Sequence, residues 1–491
     1  MLAILPIALA GRPAAAQGPP SGDAKAADAK PKADEKPGTP AAEPADQGPE
    51  AEVFVDPKAK SLLAKFDVLT FVGAPIRVGG TPEERAKSKV TSGPDDRAKV
   101  LNMVARNENL NPEFLKRYVD FFATELTKRD SINAIVNPPA GAPAGSPQSR
   151  GLERAVQCLT QPIVDARFNK NAEFLKRYSQ ILFESRLVSV LDNNYLSRID
   201  AMIVLGMAGY NDPIALDLYA AQLKNPDQVI WVKLWACRGY TNASQQGAIN
   251  LDQGKTINGA EAILAFLNSD PKLPWPAKMR AMEALGSLRL ATANRPGGKV
   301  DAASVVLRNL VDPQAALEVR SWSAWALGMM KVPSQVSPYN FTLLGREIGE
   351  LAIDLGSEIV QEYDDKQANF EREKDEAHHL SALLLYQVVP SLSGDSGIND
   401  SGLLGSTHPS LGAVKPLLTK LDEKVKAVAR ESYELIRAGG TSQKDKRNDL
   451  DSKVADLKSF IGQVAPKDRR LVPDGPDLPA VASQVAGAAG R

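Results

Sequence analysis

Apolar residues return at helical spacing through most of this chain. From Asn111 the sequence reads NPEFLKRY, and from Asn171 it reads NAEFLKRY. In the first copy Phe114, Leu115 and Tyr118 fall on one side of a helix, and Phe121, Phe122 and Leu126 continue that stripe. In the second copy Phe174, Leu175, Tyr178, Ile181 and Leu182 do the same. Each copy opens on Asn, whose side-chain oxygen can accept a free amide of the first turn. Pro112 follows well, because it lacks an amide proton that the first turn would leave unpaired. Lys116, Arg117, Lys176 and Arg177 point elsewhere, within i,i+3 or i,i+4 reach of Glu113 and Glu173. Asp96-Arg97-Ala98 and Glu153-Arg154-Ala155 each open an earlier helix, so the duplicated unit reads as a helix pair. Every position of the octapeptide has a structural duty, which favours copied scaffold over a copied ligand site.

Four later helices share an ending. Arg198 to Gly206, Trp231 to Gly239, Lys278 to Gly286 and Arg320 to Gly328 each close on glycine, the residue expected just past a helix C-terminus. These glycines lie 33, 47 and 42 residues apart. The last three helices follow another helix and a turn: Asn225-Pro226-Asp227-Gln228, Ser269-Asp270-Pro271-Lys272 and Val311-Asp312-Pro313-Gln314. Two helices in a unit of roughly 40 residues is the mark of a helical solenoid. Alternating Val/Ile runs are scarce, and Val68-Leu69-Thr70-Phe71-Val72 is the main strand-like exception. The body is therefore expected to be all-α.

The order helix, Asp-Pro turn, basic residue, Ala-rich helix, Leu-Gly resembles the HEAT-repeat family, most fully from Asp312 to Gly328. The resemblance covers 197–330 and extends in weaker form over 95–192 and 341–437. It implies an α-α superhelix of antiparallel helix pairs whose concave face holds another macromolecule. The repeat carries no catalytic residues, so none transfers to this chain.

The two ends read differently from the body. Leu2 to Ala10 is a short apolar run, and Ala14-Ala15-Ala16 follows it, which together suggest an export signal over 1–16. No basic residue precedes the run, and Arg12 follows it. Residues 17–52 are rich in Pro, Ala, Lys and Glu with little to bury, the composition of a disordered tether. The repeat body is expected over 53–440, a C-terminal helix over 441–465 and a mobile tail over 466–491. Two Gly-rich interruptions are expected as loops, one within 131–151 around Asn137 to Ser146 and one over 391–407. No later stretch holds the ~20 apolar residues that a membrane-spanning helix needs. The expected location is periplasmic or cell-envelope associated. Lys plus Arg and Asp plus Glu both total 59, so no net charge points to nucleic acid.

Candidate chemistry is thin. In Asp375-Glu376-Ala377-His378-His379 each histidine has a carboxylate three residues before it, the spacing of a carboxylate-bridged metal bundle. The second such motif that a bundle requires is missing, and the third histidine, His408, is followed by Pro409. A polar helix face beside the stripe of Leu380, Leu383, Leu384 and Val388 is the plainer reading. Cys158 and Cys237 have no metal or redox spacing. Export would permit them to pair, although each stands where a small buried residue belongs. No phosphate-binding loop or nucleophile elbow occurs, so no catalytic residue and no cofactor is assigned. Trp231, Trp235, Trp275, Trp322 and Trp325 either pack between repeats or form an aromatic patch for a partner. These readings converge on an exported, non-catalytic, protein-binding scaffold of the envelope, its oligomeric state left open. The alternatives are a metal-containing or lyase-type enzyme on the same framework and a glycan-binding envelope protein.

Overall fold

The computed structural model describes residues 56, 58–72, 76, 96–106, 110–137, 150–245, 253–295, 298–367, 369–440, 442–464, 466 and 468–478. All of them belong to the unit that begins at Phe54. The expected export signal, the tether, most of the first Gly-rich loop and the last residues of the tail lie outside the described residues.

Helices dominate the body. A short turn, α1 (Ala59–Leu63), precedes α2 (Asp96–Arg106), α3 (Pro112–Glu125), α4 (Arg129–Val136), α5 (Arg150–Phe168) and α6 (Ala172–Glu184). The run continues with α7 (Tyr195–Ala208), α8 (Pro213–Lys224), α9 (Ile230–Gln245), α10 (Gln253–Leu267), α11 (Trp275–Leu288), α12 (Ala302–Val311) and α13 (Leu317–Met329). A long helix, α14 (Phe341–Lys366), leads through α15 (Phe370–Glu373) to α16 (Asp375–Leu383), a π turn at Leu384–Val388 and α17 (Val389–Ser393). The last helices, α18 (Lys415–Arg437) and α19 (Ser442–Gln463), pack together against α14. The exception to an all-helical body is an antiparallel hairpin of β1 (Thr292–Arg295) and β2 (Gly298–Asp301), with Thr292 opposite Asp301.

Helices stack in two rows. The second helices α5, α7, α9, α11 and α13 each pack on the next, and the π turn and α17 extend the row. The first helices α8, α10 and α12 form the other row, and α12 meets α14. Phe183 of α6 joins that row through an edge-on ring contact with Tyr219 of α8 at 5.8 Å. Each unit buries its apolar stripe only against its neighbours, the logic of a solenoid.

The octapeptides sit where this stacking begins. Asn111 and Asn171 each accept the amide of the third helical residue, Phe114 and Phe174, at 3.0 Å. Tyr118 and Tyr178 are fully buried, and both reach α5. The Tyr118 hydroxyl donates to the Cys158 carbonyl and the Tyr178 hydroxyl to the adjacent Leu159 carbonyl, each at 3.1 Å. The two copies thus grip one helix from α3 and α6. The basic residues have further partners: Arg117 lies over the Phe114 ring, and Arg177 donates to Gln180.

The glycines are not caps. Gly206, Gly239, Gly286 and Gly328 all lie inside α7, α9, α11 and α13. Their lack of a side chain serves packing instead. A Cβ at Gly206 would stand 2.6 Å from the Trp235 carbonyl oxygen, and one at Gly286 would stand 2.6 Å from the Trp325 ring. The next second helix therefore crosses nearly in backbone contact. The left-handed residue that ends α7 is Gly209, at φ 54°. The Asp-Pro turns share a common device. Asn225, Asp270 and Asp312 each accept the amide two residues on, from Asp227, Lys272 and Gln314, at 2.8–2.9 Å.

Three segments expected as strand, loop or tail are tied to the stack. Among the described residues the strand-like Val68–Val72 pairs with no strand. It belongs to a strap, made of residue 56 and residues 58–72 with α1 inside it, that crosses the ends of several repeats. Asp56 accepts the Ile230 amide at the start of α9, Asn194 donates to the carbonyls of Leu62, Leu63 and Lys65, and Leu69 donates to Thr127 Oγ1. The second Gly-rich segment is pinned as well. Ser391 to Ser393 are helical, and Arg289 donates to the carbonyls of Asn399 and Asp400. The tail reading from Pro466 is corrected for Asp468 to Leu478. Leu471, Val472 and Leu478 are buried, and Asn340 at the start of α14 binds the Asp468, Arg470 and Leu471 carbonyls.

Candidate functional site

Among the described residues the second helices leave one face without a covering layer. On α7 the half-buried positions are Leu196, Ile199, Asp200, Ile203 and Met207, a stripe about 100° wide. On α9 the same face carries Trp231, Trp235 and Arg238, and on α11 it carries Met279, Arg280 and Ser287. On α13 it carries Glu318 and Trp322, and on α16 it carries His379 and Ala382. Contacts between neighbouring helices fix this register. Arg238 of α9 pairs with Glu283 of α11, and Arg280 holds the other oxygen of that carboxylate at 2.6 Å. Glu318 of α13 meets His379 of α16 at 3.0 Å. Exposed apolar groups stand on the elements at the two ends of the row. Phe168 (86% exposed) and Val164 (45%) stand on α5, and Tyr386 (60%) stands on the π turn.

The five tryptophans divide by role. Trp235 and Trp325 pack over the helical glycines of the preceding second helix. Trp322 and Trp325 meet edge-on with centroids 5.2 Å apart. Trp231 is partly buried and packs against the core. Trp231, Trp235 and Trp322 therefore belong to the packing between repeats while keeping an edge on the open face. Trp275, at the first turn of α11, is 47% exposed.

The acidic histidine segment is pulled apart by its neighbours. His378 is exposed, whereas His379 turns to Glu318 of α13. That hydrogen bond holds the Glu318 carboxyl below its ordinary range and raises the His379 imidazole above its own. Among the described residues no three His, Cys, Asp or Glu side chains converge in metal-binding geometry. Asp375, Glu376, His378 and His379 thus line a helix face rather than a ligand cage. Cys158 and Cys237 are buried in α5 and α9 and are not joined in a disulfide. Burial pushes the Cys237 thiol well above its ordinary range, which leaves it a poor nucleophile. His408 is buried, and its Nδ1 accepts the Ser410 amide in a short 3-10 turn.

Two features of the face escaped the sequence reading. The Arg238–Glu283–Arg280 cluster joins residues 45 apart in sequence, and no local pattern pairs them. Asp200 was readable in principle, because it is the one charge on the α7 stripe. Among the described residues it makes no hydrogen bond or ion pair. Burial alone pushes its carboxyl up to about 7. No helix among the described residues is long and apolar enough to cross a membrane. No protein-family model, no curated protein and no solved structure matches this chain.

Proposed function

We propose that this chain is a non-catalytic scaffold of the cell envelope that binds another protein along its second-helix face. The observation that supports the reading is the stripe itself. Half-buried Ile203, Trp235 and Trp322 line it, exposed Phe168, Val164 and Tyr386 stand on the elements at the two ends of the row, and no layer covers it among the described residues. Apolar and aromatic edges on a stacked array supply a long contact surface, and aromatics concentrate binding energy where they are half-buried. The HEAT-like repeat pattern and the export signal read from the sequence agree with such a role.

The test is affinity capture from native envelope extracts with the full chain as bait. A single stoichiometric protein that is retained by the wild type and lost from Phe168→Ser/Tyr386→Ser supports the proposal. Both residues are exposed, so the double variant should fold. Retention on cell-wall glycan instead, lost on Trp275→Ala, would replace it with the glycan-binding reading.

A further inference from the structure

A charge on a protein surface is ordinarily solvated or paired, and a charge in an apolar setting is costly. The second-helix face obeys this rule from α9 onward. Arg238 and Arg280 share Glu283, and His379 takes Glu318. On α7 it does not. Asp200 is partly buried, has no partner among the described residues, and lies on a stripe of Leu196, Ile199, Ile203 and Met207. On one side of α7 packs α5, which carries the exposed Val164 and Phe168, and on the other packs α9, which carries the half-buried Trp231 and Trp235.

We propose that this part of the face receives a polypeptide segment that sets one lysine or arginine against Asp200 and lays apolar residues on Val164, Phe168 and Ile203. The occupant follows from charge complementarity. An uncompensated carboxylate between aliphatic and indole walls suits a cationic head on an apolar stem, which lysine and arginine both present. A neutral segment would bury Asp200 without a partner and lose affinity. An acidic segment would add like-charge repulsion.

The proposal rests on the protein-binding reading and narrows it. It also predicts a proton linkage. Asp200 is half-protonated near neutral pH. A bound cation favours the ionised form, so docking releases a proton and strengthens as the pH rises through 7.

Random dodecapeptides displayed on phage and selected on the immobilised full chain test this directly. The expected result is a set of clones with one shared lysine or arginine among apolar residues. For a synthetic clone, Asp200→Asn should weaken binding about tenfold, the loss of one charge-assisted hydrogen bond. Lysine-to-glutamine exchange in the peptide should weaken binding to the wild type equally, and the two changes together should cost little more than either. Wild-type affinity should rise from pH 5.5 to 8, whereas that of Asp200→Asn should stay flat. Asp200→Glu should restore part of the affinity, and the peptide exchange keeps the test valid should the protein variant unfold. Clones without a shared basic residue, clones that bind Asp200→Asn as well as wild type, or an empty selection would overturn the proposal. Envelope capture that depends on Phe168 and Tyr386 would in that case leave the scaffold reading standing.

Discussion

The two halves of the second-helix face share a register but not a chemistry. From α9 to α16 the charges on the face are paired: Glu283 holds Arg280 of its own helix and joins α9 to α11 through Arg238, and the Glu318–His379 pair joins α13 to α16. On α7 the stripe is apolar apart from Asp200, which has no partner among the described residues. Charges in the first group hold repeats together and have little left to offer a ligand. The unpaired acid does nothing for stacking and costs stability, which makes it the group that needs an explanation from outside the fold.

The largest expected effect comes from breaking the stack on which both halves depend. Gly286→Ala places a Cβ 2.6 Å from the Trp325 ring and 2.7 Å from the Ala326 Cα. Urea unfolding should show a loss of about 3 kcal/mol, the scale of overpacking in a core. Gly206→Ala, which meets the Trp235 carbonyl oxygen at 2.6 Å, should behave alike and show that the crossing is common to both halves. Glu283→Ala should cost about 2 kcal/mol, because it strands two half-buried guanidinium groups.

Removing the charge from Asp200 should have the opposite sign. Its folded pKa of about 7 exceeds the ordinary 3.8, so folding takes up a proton between those values. Stability from this group is full below about pH 4 and is lost as the pH rises through 7. Asp200→Asn should therefore stabilise the protein by about 1 kcal/mol at pH 8, and the gain should shrink on acidification and vanish below about pH 4. Thermal melts across that range would show it, and a variant less stable at pH 8 would contradict the unpaired state. Glu318→Gln should have the smallest effect, below about 1 kcal/mol, because the pair is half-exposed. The raised His379 contributes fully below its unfolded value near 6.5, and that contribution is lost as the pH rises through its folded value. The lowered Glu318 contributes above about 4.5, and that contribution is lost on acidification. The cost of the substitution should peak between those limits.

Much of this architecture was legible because its signals are local. Asn111 and Asn171 cap helices by residue type, and the Phe, Leu and Tyr positions bury their stripe by spacing. The Asp-Pro turns fold through an oxygen two residues from its amide. The helical glycines misled because a C-terminal cap and a close crossing both call for a missing Cβ, and only the neighbouring helix distinguishes them. The strap of residues 56 and 58–72 and the segment from Asp468 to Leu478 also escaped notice. Their anchors, Ile230, Asn194 and Asn340, lie more than 120 residues away in sequence. Of the candidate site, the tryptophans were visible by type. That Trp235 and Trp325 chiefly cover glycines, and that Asp200 stands unpaired, required the stack.

The central claim is that the second-helix face is the binding surface. Envelope capture with three full-length baits tests it most directly: the wild type, Phe168→Ser/Tyr386→Ser on that face, and Ile214→Ser, which alters an exposed residue of α8 in the other row. The account predicts one protein held by the wild type and by Ile214→Ser and lost from the double variant. Equal capture by all three baits would contradict it.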